Sequence, residues 1–499
     1  MVAKNSLVGS IWLRQYFGLS SYPLTHHSYI GSGPKTEILP NGHIQQTFGP
    51  GYAPSLNTPL SHWEFALKYD HVDLPFYKAV LSRIDEAYIK TYIHNAPTSK
   101  YTRKTGFLYE FLLGKDLGIT TSTGNYVDLI DSNRYVTGNI QKNNKWRVNN
   151  NLLGNAAFCP IIRRSETLDN LLSWNLLREI ESLREKYSAE TFMRAVNYLY
   201  RKETKSSYEI EHERPSPQRV DRFVSLLQQA GQVPSSIFLE EQSLTSWQNS
   251  IVDSRFAATG FRDFQNYVGE SMPNFIEKIH YICPPPQLVG SLMKGLSDLA
   301  GETTGLSSLV RASMIAFGFV FIHPFEDGNG RLHRFLIHDV LLRDLVVPGD
   351  IILPVSAHIL NHMSEYDAAL EAYSVPLVKM ADYLLDSKGE MTIKNADEIE
   401  AYYRYPDLTK QTLYLTQTIR STVLEELPME LYFIQHYDEL KKEIQDIVDM
   451  PDKDINLMIL FLYQNKGNLS KGKRKSFEKL TDDEIAKMED SFKAIFLNF

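Results

Sequence analysis

Cysteine is nearly absent from this chain: Cys159 and Cys283 are its only two in 499 residues. Two thiols cannot build a disulfide framework, and these lack the spacing of a zinc site, so the chain fits a reducing compartment. Long apolar runs are missing as well; none approaches the roughly 18–20 residues needed to span a bilayer. The opening MVAKNSLVGSIWLRQYF meets Arg14 after a short apolar patch without a small-residue cleavage site, unlike a signal peptide. A cytoplasmic protein with no membrane partner is expected. Excess positive charge is also lacking. The net charge of −8 argues against nucleic acid as the main partner. The short basic cluster Lys471, Lys473, Arg474 and Lys475 reads as a solvated loop.

Several chemistries are missing by motif. There is no nucleophile elbow and no dinucleotide fingerprint. The segment GPKT at 33–36 resembles a phosphate loop only faintly, because Pro34 interrupts the required Gly-Lys pair. His358 and His362 stand four apart on a predicted helix. No glutamate follows His358 in the metalloprotease arrangement and no third ligand is evident, so the pair reads as helix surface.

What remains is an ordinary globular composition, 43% apolar and 22% charged, on a chain long enough for about three domains. No repeat or low-complexity tract interrupts it. The first 60 or so residues, rich in Gly, Pro, His and Ser, are expected to be irregular, with turns at Gly31–Lys35 and Phe48–Ala53. From Ser61 the apolar spacing turns helical, over Trp63–Tyr69, Leu74–Ile93, Leu108–Leu113, Leu168–Tyr187 and Thr191–Arg201. Arg214–Pro217 (RPSP) marks a junction before another helix. Alternation in 260–271 and 279–289 predicts two short strands, stopped by three prolines at 284–286. Residues 356–373 predict a helix that closes one side of the site described next. Past Ile393 the pattern stays helical, over Glu398–Tyr403, Leu408–Glu426, Met429–Ile447 and Lys453–Tyr463. The reading divides the chain into a mostly helical 1–195, a central 196–393 and a helical module 394–499.

The most informative stretch is His323–Arg334, HPFEDGNGRLHR. It lies between two apolar runs, Met314–Ile322 and Phe335–Val347, which predicts buried helix, tight polar loop, buried helix. Arg331 and Arg334 fall one turn apart at the start of the second helix. That placement opposes the helix dipole, whose positive end favours acids. A bound anion repairs it, cradled by backbone N–H groups and gripped by forked guanidiniums. Gly328 and Gly330 allow close backbone approach, and Asn329 brings an amide to the same spot. Glu326 or Asp327 beside a phosphate needs a divalent cation between them, and Mg²⁺ is the usual one. His323, with a pKa near neutrality, is the natural general base.

These residues resemble the Fic-family signature HxFx(D/E)GNGRxxR at every specified position. The resemblance implies a mainly α fold: a Fic-type helical core with a small β-hairpin flap, flanked by helical N-terminal and C-terminal regions. It implies that His323 deprotonates a hydroxyl on a target protein, which then attacks the α-phosphate of ATP and keeps AMP. Asp327 would hold Mg²⁺, and Gly328, Asn329 and Gly330 would form the anion hole. Arg331 and Arg334 would hold the β- and γ-phosphates. Phe325 would pin the loop into the core, and Tyr366 is a candidate for the adenine pocket. The strand pair resembles the family's flap, on which an extended segment of the target docks near 264–283 by strand addition.

Many Fic proteins carry an inhibitory helix, (S/T)xxxE(G/N), whose glutamate pairs with the second motif arginine. Ser207 and Glu211 match that spacing within 203–213, just before the helices leading to the flap. Ser236…Glu240 and Ser421…Glu425 match it too, and His212 stands where Gly or Asn is expected. The resulting expectation is an autoinhibited protein adenylyltransferase acting on Ser, Thr or Tyr of a target or of itself. Alternatives within the family are removal of AMP or transfer of UMP, phosphocholine or phosphate. A non-enzymatic nucleotide sensor is the alternative outside it.

Overall fold

The most apolar helix of the chain, Ser308–Ile322, is buried all round, with only Ser308 and Val320 partly open. A helix without a polar face has to lie at the centre of a domain, and the rest of the fold is arranged about it. The structure, a computed structural model, describes residues 6–39, 42–120, 123–273 and 276–496.

The first 60 residues depart from the expected irregular chain. They form β1 (Ser6–Val8), α1 (Ser10–Tyr16), β2 (His26–Ile30), β3 (Lys35–Ile38) and β4 (Ile44–Phe48) in one sheet of order β1-β2-β4-β3. Only β2 and β4 are parallel. The alternation that signals a strand is hidden because polar groups point inward here and are satisfied there. The buried Asp70 carboxylate accepts from Ser10 N at 2.6 Å and from the Ser28 hydroxyl at 2.5 Å. His26 meets Gln46 across the β2–β4 pair at 3.1 Å.

Next come α2 (Pro59–Tyr69), α3 (Leu74–Leu81), α4 (Glu86–Asn95) and α5 (Lys100–Leu113), then a small sheet of β5 (Val127–Asp128), β6 (Gln141–Asn143) and β7 (Val148–Asn150). The expected single helix over Leu74–Ile93 breaks at 82–85, where Asp85 caps the following helix by accepting from Ala87 N. Leu168–Tyr187 divides for the same reason. Asn175 caps the second of α6 (Glu166–Leu172) and α7 (Leu176–Lys186). Ser188 caps α8 (Ala189–Ile210), which runs well past the expected Arg201.

The junction at Arg214–Pro217 leads into α9 (Pro217–Gln228) and α10 (Glu241–Ile251). The flap is a hairpin of β8 (Tyr267–Met272) and β9 (Ile276–Ile282); residues 274–275 of its tip lie outside the described residues. The strands are shorter than expected. Residues 260–264 stay in a loop, and the prolines open α11 (Pro286–Glu302) instead of extending β9. The buried helix is α12. It packs against α11, α13 (Asn329–Arg343) and α17 (Thr409–Ser421). Between these, the expected helix over 356–373 divides at His362 into α14 (Val355–Asn361) and α15 (Met363–Met380). The short strands β10 (Tyr383–Leu385) and β11 (Met391–Ile393), and α16 (Ala396–Arg404), follow α15.

The chain closes with α18 (Leu427–Ile447), α19 (Asp452–Gln464), α20 (Lys471–Arg474) and α21 (Asp482–Phe496). One apolar core reaches from Ile11 to Ile434, and a second, Leu440–Phe492, joins the far half of α18 to α19 and α21. The architecture is mainly α. Among the described residues no helix is long and apolar enough to cross a membrane.

Helix α8 is fastened to the core by a buried carboxylate. Glu203 meets His338 Nε2 on α13 at 2.8 Å, and Ser356 of α14 through its N–H at 2.8 Å and its hydroxyl at 2.5 Å. Replacing Glu203 with Ala leaves these groups unpaired in the interior. Urea unfolding is expected to show a loss of about 3 kcal/mol, and a loss below about 1 kcal/mol would contradict the anchoring role.

Candidate active site

Helix α12 ends on His323, whose backbone is left-handed (φ 52°, ψ 59°) and whose N–H still reaches Phe319 O. Its Nδ1 lies 3.2 Å from Val320 O. A carbonyl only accepts, so in the neutral ring Nδ1 carries the hydrogen and Nε2 is left with a lone pair. Burial, aided by the Arg262 guanidinium, pulls the imidazole down to about 4; the Val320 carbonyl, Glu211 and Asp327 offset this only in part. At neutral pH the ring is a proton acceptor.

The loop after His323 is built to hold one shape. Phe325 is fully buried, edge-on to Phe261 with ring centroids 5.6 Å apart. The Asn329 side chain closes the turn from both directions, donating to Phe325 O at 2.9 Å and accepting from Phe325 N at 3.0 Å. This amide braces the loop rather than facing an open site. Gly328 (φ 88°) needs its lack of a side chain, since a Cβ there would come 2.9 Å from Val252 Cγ1. Helix α13 then starts with no side-chain cap and no acid in its first turn.

The missing anion comes from α8. A Cβ on Gly330 would lie 2.2 Å from Glu211 Oε1, so the carboxylate fills the hollow that the glycine leaves at the helix start. Glu211 Oε1 also accepts from Arg334 Nη2 at 2.7 Å. Arg334 donates to the Ser207 hydroxyl (2.9 Å) and the Ser207 carbonyl (2.7 Å). Burial would raise the Glu211 carboxyl, but Arg334, helped by Arg331 and His323, outweighs it and holds the carboxyl below the usual range. Ser207 and Glu211 are thus the Ser-x-x-x-Glu pair that reaches Arg334.

A second acid, which the sequence reading missed, takes the other arginine. Glu213 Oε1 lies 2.7 Å from Arg331 Nη1, and Glu213 Oε2 accepts from Arg219 at 2.8 Å. The turn that aims both acids at one loop is His212, held at φ 56°. That left-handed geometry is why Gly or Asn suits the position, and histidine is among the side chains that tolerate it. Arg331 also binds Asp327 Oδ1 (2.6 Å), which accepts from Gly328 N as well. No protein donor among the described residues meets Asp327 Oδ2.

Arg331 and Arg334 are each 1% exposed, yet Arg331 Nε and Arg334 Nη1 find no hydrogen-bond acceptor among the described residues. The forks have capacity left for oxygen atoms of a ligand. No three His, Cys, Asp or Glu among the described residues converge on a metal position. A cation here would share Asp327 with an anionic ligand, as Mg²⁺ commonly does with phosphate. His323, Asp327, Gly328, Asn329, Gly330, Arg331 and Arg334 therefore gather with Ser207 and Glu211. Tyr366 does not offer an open ring to a base. It is 5% exposed, packed against His333 and Tyr414, and burial raises its phenol to about 12.

Residues 238–341 match the Fic/DOC family. The chain is 31% identical over 111 residues to "Protein adenylyltransferase fic-1" of Caenorhabditis elegans; that stretch is 22% of this chain and 18% of the relative. Solved structures that resemble it include the following two. A Fic family protein from Desulfovibrio desulfuricans G20 shares 19% identity at a TM-score of 0.37, over 67% of this chain and 89% of its own. A Fic domain containing signaling protein from Bacteroides thetaiotaomicron VPI-5482 shares 15% at 0.33, over 53% and 97%. The similarity to the Fic/DOC family is thus confined to residues 238–341, and the chain spans less than a fifth of the length of the curated relative it matches.

The depressed imidazole gives a direct test. By NMR the His323 ring should titrate near pH 4. Its folded value is depressed, so its contribution to stability is full above about 6.5 and lost as pH falls toward 4. A midpoint near 6.5 would contradict the assignment.

Proposed function

We propose that the chain is a protein adenylyltransferase, autoinhibited by Glu211, that uses ATP and Mg²⁺. The observation that carries this reading is the Glu211 carboxylate seated on Gly330 and Arg334, with His323, whose pKa burial lowers, in the same loop. A site that accepts one anion at an arginine-flanked helix start, next to a proton acceptor, suits the transfer of a phosphate-linked group to a hydroxyl.

In this reading the β- and γ-phosphates of ATP take the place of Glu211, held by Arg331, Arg334 and the N–H groups at the start of α13. Asp327, whose Oδ2 has no protein donor among the described residues, would hold Mg²⁺, and the cation would supply charge neutralisation for the phosphates. The exposed flap strand β8 pairs with an extended segment of the target and sets its Ser, Thr or Tyr hydroxyl over the site. His323 Nε2 takes the hydroxyl proton as the oxygen attacks the α-phosphorus. The bond to pyrophosphate breaks, AMP stays on the side chain, and the imidazolium returns its proton to water. A hydroxyl of this same chain could serve as the target. A second reading also has support: the Glu211 carboxyl, held low by Arg334, interacts electrostatically with His323, as the orienting group for a water that removes AMP would.

Incubation with α-labelled ATP and Mg²⁺ tests the proposal. Glu211→Gly should raise labelling about 10- to 100-fold, the equivalent of one charge-assisted hydrogen bond. Adding Glu213→Gln should raise it further by freeing Arg331. His323→Ala in the Glu211→Gly background should lower it by about 10²- to 10⁴-fold. Equal labelling with and without His323 would overturn the reading.

A further inference from the structure

Arg262 lies in the loop between α10 and β8, is 5% exposed, and directs all of its recorded side-chain hydrogen bonds to backbone carbonyls. Its N–H donates to Pro324 O at 2.8 Å and its Nε to His323 O at 2.8 Å. Nη1 donates to Phe264 O (2.8 Å), just before β8. Nη2 donates to Pro284 O (2.7 Å), just after β9, with a longer contact to Ile322 O (3.5 Å). One side chain therefore joins both feet of the flap to the backbone of the proposed base. Neighbours reinforce the same joint: Gln265 donates to Cys283 O, Tyr403 OH to Ile282 O, and Tyr281 OH to Phe321 O.

We propose that Arg262 is a positioning residue that fixes the height and register of the flap over His323 Nε2. Nothing else described here binds the loop before β8, the chain after β9 and the His323–Pro324 backbone at once. A strand-added target inherits the flap's register, so this joint decides which side-chain oxygen arrives within reach of the imidazole. The cation is buried without a carboxylate partner among the described residues. The carbonyl-rich C-terminal end of α12, on which it sits, compensates. A neutral amide could bind some of these carbonyls, but it could not also repel a proton from the imidazole. The charged groups facing His323 are Arg262 from this loop, Glu211 from the end of α8 and Asp327 from the motif loop.

The inference rests on the proposed transfer reaction, and the test separates the two. In the Glu211→Gly protein, Arg262→Gln and Arg262→Lys are compared by self-labelling from α-labelled ATP, by ATP binding, and by NMR titration of His323. Amide exchange of β8 and β9 is followed as well. Both variants should lose at least about tenfold in rate, with flap exchange accelerated and ATP affinity kept within about twofold. Arg262→Gln should also raise the His323 midpoint, whereas Arg262→Lys, which keeps the charge, should not. Unchanged rate and flap exchange in both variants would overturn the inference. So would a loss of rate matched by lost ATP affinity with no movement of the His323 midpoint. If the Glu211→Gly parent transfers no label, the reaction fails as proposed, while flap exchange and the His323 midpoint still decide the role of Arg262.

Discussion

A helix that begins with two buried arginines has to find negative charge, and here it finds it inside the chain. The positive end of α13, the Arg331 and Arg334 guanidiniums and the bare hollow at Gly330 all call for an anion. Glu211 and Glu213, at the end of α8, supply it. Without that pairing, Arg334 would be buried uncompensated and Arg331 would keep only Asp327, at a cost of several kcal/mol. The need for compensation is permanent, but the identity of the anion is not. A phosphate satisfies the same donors as a carboxylate, which makes one stabilising contact interchangeable with ligand binding.

The second acid changes how firmly the site is closed. Glu211 rests on Arg334 and the helix start, Glu213 on Arg331, and His212 between them turns the backbone so that both face one loop. Helix α8 is itself held at several points. Glu203 ties it to α13 and α14, and Lys202 and Arg194 reach Glu430 and Asp438 on α18. The C-terminal segment thus touches the helix that carries the two acids, so the far end of the molecule and the site share a mechanical element.

The motif was legible because its chemistry is local. His323, the Gly-Asn-Gly turn and the arginines lie within twelve positions, bounded by apolar runs that can only be buried helices. Ser207 and Glu211 were legible by spacing, and their location separated them from two other matches. Glu213 escaped because the pattern describes a helix, while the acid acts from the residue after a left-handed turn. Arg262 escaped because its partners are carbonyls, which leave no trace in side-chain identity. The N-terminal sheet escaped because its inward groups are polar: Ser28 and His26 are buried but bonded, so no alternation marks the strands. Tyr366 was placed in a base pocket from its helix alone, without the neighbours that enclose it.

The central claim is that Glu211 occupies the seat of the outer phosphates of ATP. Calorimetric binding of ATP and of AMP, to the unaltered protein and to Glu211→Gln, tests it most directly. ATP affinity should rise by about 10- to 100-fold on removing the charge, while AMP affinity stays unchanged. No gain for ATP, or an equal gain for AMP, would contradict the account.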